Sequence, residues 1–507
     1  MATLKQGANA PQAAAPGTRA ARDAIWQTAG FITLTLSSYV MVMLLARSLG
    51  PAAYGVYGVV YATLLAIELM TRLGVPQSMA KLAAGSRDRA RAIEATGTTL
   101  ALLISLAAFA GMWLAAPLLT RMLNVPDGVA LFRIAGIDLP FFAAYGILNQ
   151  VLNSRRRFRD SAIVTMVYGA AKLVGTAAMV LSGYVSIEGA LLINILASIA
   201  GVAVLIPFTG PAPLRPSLVE RNAIVAMAVP TALADLCMQS LLALDLWMLN
   251  ALGGGLPMEV RGLYAAALNL ARIPNLLAFV LVSMLVPMIS HALSTGGPQA
   301  ARRLVLGATR FLLVLVLPAC ALIASDSGAI LALLFSEAYR PGGQLLGLLI
   351  FAQGLGFTLL NSLQAILVGA GAADKGARRL VLALALATAF NLVLIPLFGA
   401  LGAAMAAVLG FSVAVASVGI AVRHRLGALV EPRVAVGSVL LSLLVGLIAW
   451  LFPADGIVML VELGALFVLY LGLAWATGLI GPADIAMLRG GKGKADATAD
   501  PRPPDGH

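Results

Sequence analysis

Charged side chains are scarce in this chain. Asp, Glu, Lys and Arg together make up 11% of its 507 residues, whereas they make up about 25% of an average soluble domain. A soluble globule of this length could not cover its surface with so few charges. Disorder is excluded as well, because disordered chains are poor in apolar residues and this chain is 60% hydrophobic. The composition predicts an integral membrane protein.

Metal-binding and disulfide-forming residues are also few. The chain has two cysteines and three histidines. Cys237 and Cys320 both lie in apolar runs and the histidines are far apart, so the pattern indicates neither a zinc site nor a disulfide framework. The sequence also lacks a Gly-rich phosphate loop ending in Lys and Ser or Thr, and we expect no nucleotide hydrolysis. No cofactor and no metal are predicted.

Basic residues outnumber acidic ones, and the formal net charge is +12. In a soluble protein this excess would suggest a nucleic-acid partner. In a membrane protein it has a simpler origin, because basic residues gather in cytoplasmic loops whatever the function. We therefore predict no nucleic-acid partner.

Long apolar runs are what the chain has in abundance. In lipid only helices and closed barrels satisfy the backbone, and the runs show no alternation of period two, so we predict an all-α polytopic membrane protein. The uncharged stretch 380–422 is too long for one crossing and should fold back at 396–399, where Pro396 lies. The predicted fourteen transmembrane helices are 24–46, 54–74, 93–116, 129–152, 160–182, 186–208, 222–250, 262–290, 303–325, 342–369, 379–397, 399–422, 434–452 and 457–480.

The distribution of basic residues predicts the topology. When the N-terminus is placed inside, the inside segments hold 25 Lys and Arg residues and the outside segments hold five. A bias of this size places both termini in the cytoplasm.

Helices 1–6 and 7–12 resemble two copies of one unit. Gly55 and Tyr57 recur as Gly262 and Tyr264, and the segment 186–190 recurs at 399–403. Two six-helix copies keep the same orientation, so their axis lies along the membrane normal and their interface encloses a cavity. The predicted organisation is a disordered N-terminus 1–23, a six-helix bundle 24–208, a Pro-rich cytoplasmic linker 209–221, a second bundle 222–425, two extra helices 426–480 and a disordered tail 481–507.

Four segments resemble a known group of membrane proteins. They are 46–55, 262–290, 335–339 and 391–404. In this order they resemble the polysaccharide transporter branch of the multidrug/oligosaccharidyl-lipid/polysaccharide exporter superfamily, the Wzx-type flippases. Arg272 and Pro274 also resemble a feature of the related lipid II flippases, an Arg two residues before a Pro in the eighth helix.

The resemblance implies a MATE-like fold and a function without catalysis. Members of the family translocate undecaprenyl-diphosphate-linked oligosaccharides across the bacterial inner membrane for O-antigen, capsule or exopolysaccharide assembly. It therefore implies a lipid-linked substrate, membrane lipids and the polysaccharide polymerase and chain-length machinery as partners, and an inner-membrane location.

Of the 34 Lys and Arg residues, four remain after the inside and outside segments, and they lie within predicted helices: Arg272, Lys172, Arg310 and Arg72. A charge at bilayer depth is costly and usually faces a cavity or a partner. Arg272 lies ten residues past Gly262, about 15 Å along the helix, and Lys172 is similarly deep. We expect these residues to line a substrate cavity and bind a diphosphate, together with Asn269 and Asn275.

Four acids also lie within the predicted helices and are candidates for binding a driving cation: Asp235, Asp245, Asp138 and Glu68. Structural interpretations remain open for several of these charges. Glu68 and Arg72 have the spacing of an intrahelical ion pair, and Asp235 with Gln239 could form a helix–helix hydrogen bond. Arg310 and Arg72 could extend to the membrane surface.

Two other functions are compatible with the pattern. A cation-coupled multidrug exporter of the MATE type is one, although that family normally has twelve helices. A membrane glycan polymerase or ligase is the other. Such an enzyme needs a large outer loop with catalytic groups, and the outer loops predicted here, 117–128 and 326–341, are short.

Overall fold

The computed structural model describes residues 16–480, except 73, 87 and 211–215. The side chains of 16–21, 24, 72, 230–234, 279, 280 and 283 also lie outside the description. The described residues are helical and contain no strand. This confirms the all-α prediction.

Seven helices precede the Pro-rich segment. Most are rich in Ala, Leu, Val and Ile. The helices are α1 (Pro16–Arg72), α2 (Val75–Gly85), α3 (Ala90–Met122), α4 (Gly128–Gly136), α5 (Asp138–Ser154), α6 (Phe158–Leu181) and α7 (Ile187–Thr209).

Eight further helices follow up to residue 426, interrupted by a 3₁₀ turn at Glu337–Gly342 and a π-helix at Ile350–Gly356. They are α8 (Leu218–Leu252), α9 (Met258–Ala271), α10 (Asn275–Thr295), α11 (Gly297–Ser325), α12 (Ser327–Leu334), α13 (Gly343–Leu349), α14 (Phe357–Gly369) and α15 (Ala373–Leu426). Two last helices, α16 (Pro432–Leu451) and α17 (Gly456–Ala476), pack against α11.

Breaks divide the longest helices. α1 is interrupted at Gly50, whose φ of 74° is available to glycine and strained for other residues. α15 is interrupted in the same way at Gly399, at the end of the segment where the sequence predicts a fold-back. We call the parts on either side of these two glycines the limbs of α1 and α15.

The structure differs from the predicted helices in several places. The predicted span 262–290 is two helices, because 272–274 forms a turn between α9 and α10. The predicted span 129–152 is likewise divided near Ile137. Part of a predicted inside loop is the helix α2, and α1 begins at Pro16 within the segment predicted to be disordered. The rest of that segment and the predicted tail 481–507 lie outside the described residues.

The outer surface of the bundle is apolar. Leu181, Leu114 and Ile457 are among many large hydrophobic side chains that lie mostly exposed. Exposed apolar surface on this scale is unfavourable in water and favourable in lipid. Ten helical stretches of the described residues are long and apolar enough to cross a membrane. The protein is a multi-pass membrane protein, while the count of fourteen crossings stays a prediction.

A cleft between the N-terminal and C-terminal helices as candidate site

Two helices from different parts of the chain cross in direct backbone contact. The second limb of α1 meets α9 at Gly55 and Gly262. A Cβ added to Gly262 would lie 1.8 Å from the Pro51 carbonyl oxygen, and one added to Gly55 would lie 2.6 Å from the Met258 carbonyl oxygen. Only glycine permits this approach. We call this crossing, with the polar contacts around it, the seam.

A buried arginine ties the seam together. Arg261 is 2% exposed. Its guanidinium donates to the carbonyl oxygens of Asn124, 3.2 Å away, and Gly253, 2.9 Å away, and to Asn250 Oδ1 at 3.3 Å. Asn124 in turn donates from Nδ2 to the Asn250 carbonyl oxygen at 3.1 Å. These bonds join the turn after α3 to the end of α8 and to α9.

A second group of contacts closes the same end of the interface. Arg47 Nε donates to the Leu334 carbonyl oxygen at 2.9 Å, and its guanidinium also donates to that of Leu333. The hydroxyl of buried Tyr339 donates to the Ala46 carbonyl oxygen at 2.9 Å. The first limb of α1 is therefore held to α12 and the 3₁₀ turn.

Beyond the seam the same helices separate and leave a cleft. Its empty volume, including the solvent-filled mouth, is about 700 Å³. The second limb of α1 lines one side, and α8 and α9 line the other. The polar and aromatic lining residues are Tyr54, Tyr57, Tyr61, Gln239, Asn269 and Arg272.

Three tyrosines form the wall supplied by α1. Residues 54, 57 and 61 share one face of a helix, because they are separated by three and four positions. The rings of Tyr57 and Tyr61 stack with their centroids 5.4 Å apart. Asn269 Nδ2 donates to the Tyr54 hydroxyl at 3.1 Å across the interface. The cleft thus has an aromatic wall facing an amide and a guanidinium.

Arg272 lies where α9 ends, in the turn before α10. Its Nη2 donates to the Leu242 carbonyl oxygen at 2.8 Å, and its Nε approaches Gln353 Oε1 at 3.4 Å. Gln353 is buried in the π-helix, an irregular geometry that is frequent at functional sites. The turn between α9 and α10 and the π-helix together position the Arg272 guanidinium at the wall of the cleft.

A buried carboxylate stands near Arg272. Asp245 on α8 is 2% exposed. Its Oδ2 accepts a hydrogen bond of 2.9 Å from the Tyr264 hydroxyl, and Oδ1 accepts one from the Leu246 backbone N–H. The tyrosine and the nearby guanidinium compensate the burial of this carboxylate.

Lys172 lies in a separate polar cluster within the N-terminal helices. Its Nζ is 4.8 Å from the ring centroid of Tyr168 and 5.9 Å from that of Tyr61. Two acids complete this cluster: Glu68 and Asp138, both buried and in contact with each other. Asp138 Oδ2 also accepts from Asn194 Nδ2 at 3.1 Å. Tyr61 connects the two regions, because its ring lines the cleft and faces Lys172.

The other predicted site residues are dispersed. Arg310 donates from Nε and Nη2 to the carbonyl oxygens of Leu479 and Gly478 at 2.7 and 2.8 Å, so it contacts the end of α17 and not the cleft. The Asn275 amide contacts Thr358 on α14. Asp235 is exposed one helical turn before Gln239, on the same face of α8, and is not among the residues that line the cleft. The Arg72 side chain lies outside the described residues.

Contacts at the opposite end of the molecule join the start of α8 to the N-terminal helices. Arg89 and Glu220 form an ion pair at 2.7 Å. Thr96 Oγ1 accepts a hydrogen bond of 2.9 Å from the Ser217 backbone N–H. The starts of α3 and α8, which make these contacts, are both assigned to the cytoplasmic side by the sequence.

Several residues of the cleft, its surroundings and the seam are not among the predicted candidates. The tyrosines and Gln353 are uncharged, so a search for buried charges passes over them. Two signals in the sequence point to them: the helical spacing of the three tyrosines, and a lone glutamine in the apolar run 345–357. Arg261 was assigned to an outside loop, and its burial depends on carbonyl groups distant in sequence.

Comparisons with known proteins agree on the fold. A lipid II flippase, MurJ, in an inward closed conformation superposes with a TM-score of 0.74 at 11% identity, covering 90% of this chain and all of that one. An inward-facing MATE family multidrug resistance transporter superposes with a TM-score of 0.66 at 15% identity, covering 78% of this chain and 94% of that one. A MOP superfamily transporter from Pyrococcus furiosus gives 0.61 at 16% identity, with coverages of 81% and 96%. These likenesses confirm the MATE-like fold.

The sequence itself matches one family. A comparison with curated proteins found no match. A family model described as polysaccharide biosynthesis protein matches residues 44–342, which is more than half of the chain. The matched segment contains the seam, the three tyrosines and Arg272. The chain belongs to this family of polysaccharide biosynthesis proteins.

Proposed function

We propose that this protein is a flippase that moves a polyprenyl-diphosphate-linked oligosaccharide across the inner membrane by alternating access. The observation that carries the proposal is the cleft, which lies between N-terminal and C-terminal helices and is bounded by the seam at one end. A cavity at the interface of two repeats is where transporters of this kind bind substrate. The two bundles, 24–208 and 222–425, are the moving bodies in this proposal, and both termini are cytoplasmic.

Arg272 is the proposed ligand for the diphosphate. A guanidinium binds phosphate oxygens through paired, charge-assisted hydrogen bonds. In the present conformation Arg272 bonds to a backbone carbonyl and to Gln353, both neutral groups. A diphosphate that enters the cleft would offer a stronger acceptor than either.

The tyrosines are the proposed surface for the sugar. Tyr54, Tyr57 and Tyr61 combine apolar faces with hydroxyl tips, and sugars combine apolar C–H faces with hydroxyl groups. Gln239 and Asn269 add amide donors and acceptors on the other wall. The lining therefore suits a polar, uncharged glycan beside an anionic group.

Lys172 and the acids take different roles in this proposal. Lys172 contacts the ring of Tyr61, which lines the cleft, and thereby positions this tyrosine without contacting the substrate. Asp235, exposed one helical turn from the lining residue Gln239, is the proposed contact for a driving cation. Glu68, Asp138 and Asp245 are proposed to hold buried cationic or hydroxyl groups in place. Polymerase and chain-length proteins would receive the translocated product.

The test is transport by purified protein in vesicles. We expect wild-type protein to move a fluorescent undecaprenyl-diphosphate oligosaccharide between leaflets, which is read by quenching of the outer leaflet. Arg272→Ala should lose most of this activity. The control is Arg302→Ala, because Arg302 is an exposed arginine on α11 that does not line the cleft. This variant should retain the activity. Movement of a cationic drug with no movement of the lipid-linked sugar would instead support the multidrug exporter. Chain elongation of the sugar would support the polymerase.

A further inference from the structure

The two ends of α15 form a basic pocket. Because α15 folds back at Gly399, its first and last turns meet on one side of the molecule. They line an open pocket whose empty volume, including the solvent at its mouth, is about 920 Å³. Its lining residues are Lys375, Arg378, Arg379, Ala421, His424 and Arg425.

The pocket has more positive charge than its surroundings compensate. Four of its lining residues carry positive charge: Lys375, Arg378, Arg379 and Arg425. Asp374 approaches Arg378 at 3.9 Å, and both side chains are mostly exposed, so this pair is weak. Arg379 donates to the Ser417 carbonyl oxygen at 2.6 Å. The first turn of α15 brings the positive end of a helix dipole to the pocket and the last turn brings the negative end, so the excess of positive charge comes from the side chains.

The pocket is separate from the cleft. Helix α15 supplies all of its lining, whereas the cleft is lined by α1, α8 and α9. The predicted topology places both ends of α15 on the cytoplasmic side. Anionic lipid headgroups attract basic residues at that surface.

An apolar strip continues from the pocket along α15. Val381 and Leu382 lie three and four positions after Arg378, and Ile420 lies four positions before His424, so they share faces with the basic residues. These three side chains are 46%, 55% and 48% exposed. A basic pocket joined to an exposed apolar strip has the shape of a lipid site, with the phosphate at one end and acyl chains along the other.

We propose that this pocket binds the phosphate of an anionic phospholipid from the cytoplasmic leaflet. The guanidinium groups of Arg378 and Arg425 contact the phosphate, and the acyl chains cover Leu382 and Ile420. An anion between the first and last turns of α15 relieves the repulsion between their basic side chains. Lipid binding therefore stabilises the folded-back arrangement of the two limbs.

The experiment measures lipid binding to the purified full-length protein in detergent by native mass spectrometry and by thermal unfolding. We expect phosphatidylglycerol to bind and to raise the unfolding temperature, and phosphatidylcholine to do neither. The double substitution Arg378→Gln with Arg425→Gln should weaken phosphatidylglycerol binding roughly thirtyfold, since each basic residue near an anionic surface contributes about a factor of five to six. The matched control is Arg302→Gln with Arg303→Gln, on another predicted cytoplasmic segment, and it should bind like wild type.

Two further measurements test the proposal independently of the double variant. His424→Glu should reduce phosphatidylglycerol binding even if the double variant fails to fold. Inorganic phosphate at the same concentration should not compete. Equal binding of both lipids, an equal loss in the control variant, or full competition by inorganic phosphate would each overturn the lipid site. Because no transport is measured, failure here is distinct from failure of the proposed flippase function.

Discussion

The second limb of α1 and helix α9 form two different surfaces along one interface. At Gly55 and Gly262 their backbones touch, and a methyl group would not fit. Six residues past Gly55 and ten residues past Gly262, about two and three turns, Tyr61 and Arg272 line the cleft. The difference follows from side-chain size at successive turns. Small residues let two helices approach, and large ones hold them apart.

The polar groups of the two surfaces differ in the same way. At the seam the donors of Arg261 end on backbone carbonyls and an amide of neighbouring turns. In the cleft, Arg272 and the tyrosines stand at a wall with space in front of them. The Nη1 and Nη2 donors of Arg261 bond to the protein itself, while its Nε has no partner among the described residues. The cleft, in contrast, has room for a ligand.

The predicted topology places the seam on the periplasmic side of the membrane, and a reporter fusion tests this with an all-or-none outcome. Residue 255 lies beside the seam, and the sequence places it outside. A reporter that is active only in the periplasm should be active when fused after residue 255 and silent after residue 490. A strong signal from the fusion at 490 would contradict the predicted topology, and a silent fusion at 255 would place the seam in the cytoplasm.

Substitution of Gly262 should break the seam. In Gly262→Ala the new Cβ would lie 1.8 Å from the Pro51 carbonyl oxygen, so α1 and α9 must separate. We expect glycan export to be almost abolished. A cysteine at position 57, in a background without other cysteines, should become accessible to an impermeant thiol reagent.

The matched control for the seam is Gly111→Ala. Gly111 is also a helical glycine, and nothing lies within 4 Å of a Cβ added there. This variant should export normally and keep position 57 protected. Normal export by Gly262→Ala would mean that the close crossing is not required for function.

Lys172→Met should reduce stability more than it alters the cleft. The change leaves Glu68 and Asp138 buried beside a neutral side chain. Removing one member of a buried ionic group costs about 3–5 kcal/mol. We expect a lower unfolding temperature in detergent, partly restored by adding Asp138→Asn. A stable Lys172→Met protein that exports no glycan would indicate that Lys172 contacts the substrate directly.

Arg310→Ala should have the smallest effect. It removes two hydrogen bonds to the end of α17, at a cost of about 1 kcal/mol each. Glycan export per amount of protein should stay at the wild-type level, with a small loss of thermal stability. Lost export with unchanged protein levels would show that Arg310 acts on the substrate after all.

The sequence indicates the membrane fold, the break at Gly399 and the correspondence of Gly55 with Gly262, because these depend on composition and local pattern. It also indicates the depth of Arg272. It does not show that Arg310 faces α17 or that Lys172 lies behind Tyr61. Those contacts depend on how helices rotate about their axes, which is set by packing between segments more than a hundred residues apart.

The claim that Arg272 binds the diphosphate within the cleft is central, and direct binding tests it. Affinity for undecaprenyl diphosphate would be measured with purified protein in nanodiscs for wild type, Arg272→Ala and Arg272→Lys. Loss of one charge-assisted contact should weaken binding about ten- to a hundredfold in Arg272→Ala. Arg272→Lys should be intermediate, because it keeps the charge and loses the paired donors. Equal affinity in all three proteins would contradict the account.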